Sequence, residues 1–190
     1  MALSDRFEEA MVFAARLHAD QTRKGSEVPY LSHLMGVTAI ALEHGANEDE
    51  AIGALLHDAV EDRGGQATLQ EIRRRFGNHV ADIVEGCSDS DVVPKPPWRQ
   101  RKESYLAHLP HASPSVRLVS ASDKLHNART ILSDFHRIGD AVWDRFKGGK
   151  QGTLWYYRSL VDIFSSTGPH ALADELARVV RELENLAGAS

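Results

Sequence analysis

Apolar residues recur throughout this chain at the three- and four-residue spacing of a helix, and no segment alternates apolar with polar residues over a strand's length. Capping residues stand at several predicted helix starts, because a short polar side chain can accept a hydrogen bond from the unpaired amides of a first turn. These caps are Ser4, Asn47 with Glu50, Thr68 with Glu71, and Ser113 before Pro114. The sequence therefore predicts an all-α fold in which residues 1–190 form a single multi-helix domain.

Segments rich in glycine, proline and small polar residues separate the predicted helices, and we expect loops at 21–30, 88–97 and 146–152. Gly64 and Gly65 are expected to end the helix that contains Asp62. The predicted helices run from Ser4 through Leu17, Ser32 to about His44, Asn47 to Asp62, Thr68 to Phe76, Asn78 to Gly86, Ser113 to about Phe135, Thr153 to Ser165 and Pro169 to Leu186.

The composition is typical of a soluble globular protein, with 42% hydrophobic and 26% charged residues. No apolar run approaches the roughly 18 residues that span a bilayer, and the N-terminus lacks a signal-peptide pattern, so we expect a cytoplasmic protein. The single cysteine, Cys87, excludes an intramolecular disulfide and a zinc-thiolate cluster. A net charge of −5 argues against nucleic-acid or membrane partners, because binding their phosphates needs a basic face. The oligomeric state stays open.

The stretch LLHDAVED, at 55–62, places one imidazole and three carboxylates directly after the apolar run 51–56. On a continuous helix of about 3.6 residues per turn its polar side chains share one side. Carboxylates at a helix C-terminus oppose the macrodipole, and two charges 4 Å apart repel by about 1 kcal/mol in water or about 4 at an effective dielectric of 20. A solvated acidic helix end is one interpretation. The other is a bound cation, which would turn the repulsion into attraction.

Further ligands for such a cation are available elsewhere in the chain. His33 lies near the start of the second predicted helix, and Asp123 lies in SDKLHNARTIL with Asn127 one turn later. Taken singly, each has an ordinary interpretation as a core or surface polar residue. Seven other histidines are interpreted as partly exposed helix or loop residues: His18, His44, His79, His108, His111, His136 and His170.

The order His33, His57-Asp58, Asp123 resembles the H…HD…D signature of the metal-dependent HD phosphohydrolases. The segments FAARLHADQTRKGSEVPYLSHLMGV, GALLHDAVEDRGG, IRRRFGNHVADIVEGCSDS and SDKLHNARTIL are similar to the hydrolase domain of the RelA/SpoT alarmone enzymes, over residues 5–165. Because no synthetase or regulatory domain follows, we expect a stand-alone small alarmone hydrolase. The resemblance implies an HD-domain bundle with one Mn²⁺ between helices, held by those four residues. The mixed nitrogen and oxygen set also suits Mn²⁺ better than a tetrahedral zinc site.

The resemblance further implies hydrolysis of the 3′-pyrophosphate of ppGpp or pppGpp, with ppApp as another candidate substrate. Pyrophosphate and a nucleoside 5′-diphosphate or 5′-triphosphate would be released. Glu61 and Asp62 are expected to position or deprotonate the attacking water. The expected contacts to the nucleotide are Arg23, Lys24, Lys95 and Asn127, with Lys147, Lys150 and Tyr156 as candidates for the 5′-phosphate side.

Two other functions stay open from the sequence. One is an HD phosphohydrolase that acts on a deoxynucleoside monophosphate or on NADPH. The other is a catalytically silent module that senses a nucleotide or a metal, against which the intact pair of Glu61 and Asp62 argues. The preference for guanine or adenine is also open, because Ser122 replaces the alanine usual before the last ligand and the loop at 88–97 is rich in proline.

Overall fold

The computed structural model describes residues 2–88 and 94–188, and within these ranges the regular structure is helical. The only β-type pairing in that part of the chain is an isolated bridge between Thr22 and Pro29. The predicted all-α fold is confirmed. The helices are α1 Asp5–Leu17, α2 Leu31–Glu43, α3 Glu48–Leu56, α4 Ala59–Asp62, α5 Gly65–Phe76, α6 Asn78–Cys87, α7 Trp98–His108, α8 Pro114–Ile138, α9 Gly149–Thr167 and α10 His170–Gly188, with short 3₁₀ segments at Leu109–His111 and Gly139–Arg145.

Most of the predicted caps are present. The Ser4 hydroxyl accepts from the Arg6 amide, and the Ser113 hydroxyl accepts from the Val116 amide. Asn47 and Glu50 form the reciprocal capping box expected of them at the start of α3. These helix starts were therefore readable from side-chain chemistry alone.

The predicted capping box of Thr68 and Glu71 is wrong. Helix α5 begins earlier, at Gly65, because Gly64 turns the chain with a φ of 92° that favours glycine. The Thr68 hydroxyl instead donates to the Arg63 carbonyl. Glu71 pairs with arginines later in its own helix.

The helix predicted to run unbroken to Asp62 is interrupted at its most polar point. Helix α3 ends at Leu56, α4 begins at Ala59, and Asp58 has φ −95° and ψ −1° between them. This bridge conformation differs little from a helical one, so the apolar spacing could not reveal it. Because of the interruption, the Asp58 carboxylate points in a different direction from the one that it would have on a continuous helix.

Helix α8 is the central element, since this 25-residue helix packs against α2, α3, α6, α9 and α10. One apolar cluster on its C-terminal side includes Leu125, Leu160 and Phe164. A second lies among α1, α3, α5 and α6, and every residue of the apolar run 51–56 is buried. The acidic stretch therefore begins inside the protein.

The structure agrees only in part with the loops predicted at 88–97 and 146–152. Residues 89–93 of the predicted loop 88–97 lie outside the described ranges. In the predicted loop 146–152, α9 already begins at Gly149. A Cβ at the preceding Gly148 would lie 2.6 Å from the Trp98 ring, so the missing side chain lets that ring approach. Within the described part of the chain, no helix combines the length and apolarity needed to cross a bilayer.

Candidate active site

The four predicted metal ligands come together from three parts of the fold. Ligand atoms of His33 on α2 and of His57 and Asp58 at the α3–α4 junction lie within 4.8 Å of one another. Asp123 on α8 places its Oδ1 3.2 Å from His33 Nε2 and 3.6 Å from His57 Nε2. Residues separated by up to 90 positions in the sequence therefore face one common point.

The chemistry of these donors fits a divalent cation. His33, His57 and Asp123 are 1%, 2% and 4% exposed, and both imidazole Nε2 atoms lack a hydrogen-bond partner among the described residues. His57 Nδ1 lies 2.8 Å from the Ala54 carbonyl, which can only accept, so Nδ1 carries a proton and Nε2 is the ring nitrogen that can coordinate a cation. Buried polar atoms are normally satisfied, and a cation would satisfy these two.

The two carboxylates are held as anions. Burial alone would raise the pKa of both carboxyls, but the His57 imidazole beside Asp58 and the Lys124 ammonium beside Asp123 hold both pKa values well below the ordinary range. The Tyr30 hydroxyl donates to Asp58 Oδ2 at 2.5 Å, and the Asn127 amide donates to Asp123 Oδ1 at 2.6 Å. Both groups are thus ionised and oriented, as oxygen ligands must be.

Asp62 is fixed by a chain of hydrogen bonds beside the ligand set. Gln21 Oε1 accepts from His18 Nδ1 at 2.7 Å and from Arg63 Nε at 3.2 Å, so its amide nitrogen must face Asp62, to which it donates at 2.7 Å. Burial, followed by the charge of Asp58, raises the pKa of the Asp62 carboxyl. The interpretation of His18 as a partly exposed residue is wrong, because it is 2% exposed and stacks on Tyr30.

Glu61 faces two cationic side chains, one from the segment before α7 and one from the first turn of α7. Lys95 Nζ lies 2.9 Å from Glu61 Oε1, and Arg101 Nη1 lies 3.7 Å from the same oxygen. Lys95, predicted as a nucleotide contact, is therefore paired with the carboxylate expected to act on water.

A cavity of about 570 Å³ lies beside the ligand set. Four of the predicted nucleotide contacts line it: Arg23, Lys24, Asn127 and Tyr156. Lys147 and Lys150 are not among its lining residues, and the Lys150 ammonium pairs with Asp140 at 3.0 Å. Arg23 connects cavity and ligand set, since its guanidinium donates to Asn127 Oδ1 at 2.8 Å while Asn127 holds Asp123.

The sequence reasoning missed several residues of this region. Arg137 and Arg145 line the cavity, and both pair with Asp134. Only the topology brings them there, so no local pattern marks them. His126 was also missed, although it stands three residues after Asp123; its Nδ1 lies 2.9 Å from His33 Nδ1, and burial with the nearby His33 and Arg23 lowers its pKa to about 4.

A profile of the family described as HD domain matches residues 10–154. The chain belongs to the HD-domain family. The matched range of this HD domain contains all four predicted metal ligands and the pair of Glu61 and Asp62, whereas Tyr156 and α10 lie beyond it.

Two curated relatives of this HD domain carry the name guanosine-3′,5′-bis(diphosphate) 3′-pyrophosphohydrolase MESH1. The Homo sapiens protein is 40% identical over 142 residues, which cover 73% of this chain and 74% of that protein. The Xenopus tropicalis protein is 41% identical over 126 residues, which cover 65% of this chain and 68% of that protein. The predicted resemblance to the HD phosphohydrolases and the SpoT-like alarmone hydrolases is confirmed.

The fold also matches a solved structure, that of a metazoan ortholog of SpoT. The TM-score is 0.79 over 96% of this chain and 97% of that chain, at 23% sequence identity. This likeness shows the shared HD-domain fold.

Proposed function

We propose that this HD domain is a Mn²⁺-dependent hydrolase of the 3′-pyrophosphate of alarmone nucleotides. Water would attack the 3′-pyrophosphate of ppGpp or pppGpp, with ppApp as a further candidate, and release pyrophosphate with the nucleoside 5′-diphosphate or 5′-triphosphate. The observation that carries the proposal is the convergence of two imidazoles and two carboxylates at the edge of a cavity lined by cations. The names of the relatives supply the substrate class.

His33, His57, Asp58 and Asp123 are the proposed metal ligands. Their mixed nitrogen and oxygen donors favour Mn²⁺ over a closed zinc site. When bound, a divalent cation lowers the pKa of coordinated water and offsets phosphate charge. Within the protein, the Tyr30 hydroxyl and the Asn127 amide keep the two carboxylates turned toward the imidazoles.

Glu61 and Asp62 are the proposed residues that orient the attacking water and accept its proton. Each lies one helical turn beyond a proposed ligand, Glu61 after His57 and Asp62 after Asp58. Because Gln21 occupies Oδ2 of Asp62, its other carboxylate oxygen is the one left to face water. The raised pKa of Asp62 makes this carboxylate a better proton acceptor than an ordinary aspartate.

The nucleotide is proposed to lie in the cavity with its 3′-pyrophosphate toward Arg23, Lys24 and Asn127. Lys95 is proposed as a further pyrophosphate contact, since its pairing with Glu61 places it next to the reacting group. Tyr156 and Lys150 remain proposed contacts on the 5′ side, and Lys102, Arg137 and Arg145, which line the same cavity, are proposed as further sources of positive charge for the nucleotide. A substrate with this many negative charges needs such a local basic surface despite the acidic chain.

We also propose that residues 1–190 act as one HD hydrolase domain. Helices α2, α3, α6, α9 and α10 pack directly on α8, whereas α1, α5 and α7 pack on α3, α6 and α9 respectively.

The reaction can be tested with a panel of ppGpp, pppGpp, ppApp, a deoxynucleoside monophosphate and NADPH in the presence of Mn²⁺. We expect pyrophosphate release from the alarmones and little reaction with the other two substrates. Release of orthophosphate alone would contradict the proposal and favour another HD phosphohydrolase activity. Tight nucleotide binding without any turnover would favour the sensing module.

Replacing Arg23 with alanine is expected to raise KM about tenfold with a smaller change in kcat. A hydrogen bond to a charged group contributes about 1.5–3 kcal/mol, and about 1.4 kcal/mol corresponds to a factor of ten. Steady-state kinetics with ppGpp measure the change. Arg74→Ala, an exposed arginine on α5, is the matched control and should leave KM unaltered. An unchanged KM in Arg23→Ala would remove Arg23 from the binding surface.

A further inference from the structure

The imidazole of His126 faces the side of His33 that is turned away from the ligand set. The two Nδ1 atoms lie 2.9 Å apart, and the ring centroids are 4.8 Å apart at an interplanar angle of 59°. His33 Nε2, on the opposite edge of the same ring, points to Asp58 and Asp123. One ring edge is therefore available for a cation while the other is held by α8.

The backbone of α2 leaves room for this contact at Gly36. A Cβ added there would lie 2.3 Å from His126 Nε2 and 2.4 Å from His126 Cδ2, which no folded protein tolerates without a shift. Gly36 follows His33 by three positions, so both residues are on the same face of α2 and both touch the His126 ring. The absence of a side chain at Gly36 therefore leaves the space that the His126 ring occupies beside His33.

Only one arrangement of protons lets His33 serve as a ligand. A neutral imidazole carries one N–H, and coordination through Nε2 requires that the proton be on Nδ1. Between two facing Nδ1 atoms one must donate and the other must accept. His33 must therefore donate, and His126 must accept with its own proton on Nε2.

We propose that His126 is a positioning residue of the metal centre, which accepts a hydrogen bond from His33 Nδ1 and so fixes the tautomer and ring orientation that present Nε2 to the cation. This proposal rests on the proposed role of His33 as a ligand, and it is independent of the substrate. The two histidine ligands are then fixed in different ways. His57 donates to the Ala54 carbonyl of its own helix, whereas the partner of His33 comes from α8.

The consequence is that α8 contributes to the centre twice. Asp123 supplies an oxygen ligand, and His126, three positions later, orients a nitrogen ligand from α2. Removing such an outer partner typically lowers metal affinity by about 10- to 100-fold.

The test compares His126→Asn with His126→Leu by calorimetric titration of the metal-free proteins with Mn²⁺. The amide oxygen of asparagine can stand near the position of Nδ1 and accept, whereas leucine cannot. We expect His126→Leu to lose about 10- to 100-fold in affinity and His126→Asn to lose much less. For the Leu variant, kcat should recover in excess Mn²⁺. Native Mn²⁺ affinity in His126→Leu, or equal losses in both variants, would overturn the proposal.

A second pair of variants tests the same contact from α2 and does not depend on how leucine packs. Gly36→Ala should weaken Mn²⁺ binding because its methyl group displaces the His126 ring. Because this methyl group acts through the His126 ring, the double variant Gly36→Ala/His126→Ala should lose no more affinity than His126→Ala alone. Additive losses in the double variant would contradict the proposed contact.

These measurements separate the two proposals. If the native protein does not bind Mn²⁺, the proposed function fails together with this inference. If the native protein binds Mn²⁺ and the His126 variants bind it equally well, only the inference fails.

Discussion

Alanine at His57 or at Asp123 is expected to remove the bound divalent metal and the hydrolase activity together. Each substitution removes one of the four donor groups that converge at the proposed metal centre, so the remaining three should hold a cation less tightly. A catalytic metal provides several kcal/mol of stabilisation, and at about 1.4 kcal/mol per factor of ten the rate should fall by roughly 1,000-fold or more. Metal content by mass spectrometry and pyrophosphate release from ppGpp measure the two effects on the same samples.

The matched control for these variants is His136→Ala. His136 is on α8 with Asp123, but its side chain is 54% exposed and pairs with Glu182 at the surface. Its metal content and rate should equal those of the native protein. Normal metal content in both ligand variants would be incompatible with the proposed centre, whatever their activity.

Glu61→Gln is expected to keep the metal and lose turnover. The substitution preserves the shape of the side chain but removes its charge and its basicity. General base catalysis contributes about 100- to 10,000-fold, and kcat should fall within that range. Stopped assays of pyrophosphate release, with Mn²⁺ affinity determined by calorimetry, separate loss of chemistry from loss of metal.

Glu103→Gln provides the matched control for this substitution. Glu103 is an exposed carboxylate on α7 that pairs with Arg99 one turn away, at 2.7 Å. Its kcat should remain native. A native kcat in Glu61→Gln would assign the water to another residue, and Asp62→Asn would then be the variant to examine.

Much of the fold could be predicted because its signals are local. The caps at Ser4, Asn47 and Ser113 depend on side chains that bond amides two or three positions away, so sequence alone reveals them. The failures arose where tertiary structure decides. Gly152 was predicted as a loop residue but lies within α9, where its lack of a side chain leaves room for the ring of Trp98, 54 positions earlier.

The centre of the site was predictable for a different reason. His57 and Asp58 follow a run of six buried residues, which is an unusual place for charge, and the family resemblance supplied His33 and Asp123. The outer residues were not predictable, because their meaning depends on packing. His18 and His126 are ordinary in the sequence and gain their roles from Gln21 and His33 across the fold.

The arrangement along α8 restricts which changes this protein can accept. Within 123–128 the helix carries the proposed ligand Asp123, and Asn127, whose amide donates to Asp123. The same segment carries His126, which contacts the proposed ligand His33, and the buried core residues Leu125 and Ala128. Inserting or deleting one residue there would rotate all later side chains by about 100° and send each to a wrong neighbour. The cavity wall formed by Arg145 and Phe146 lies outside α8, in the segment between α8 and α9, so these two residues do not share the helical register of 123–128. Selectivity for one nucleotide over another can therefore diverge at that wall while the spacing along α8 stays fixed.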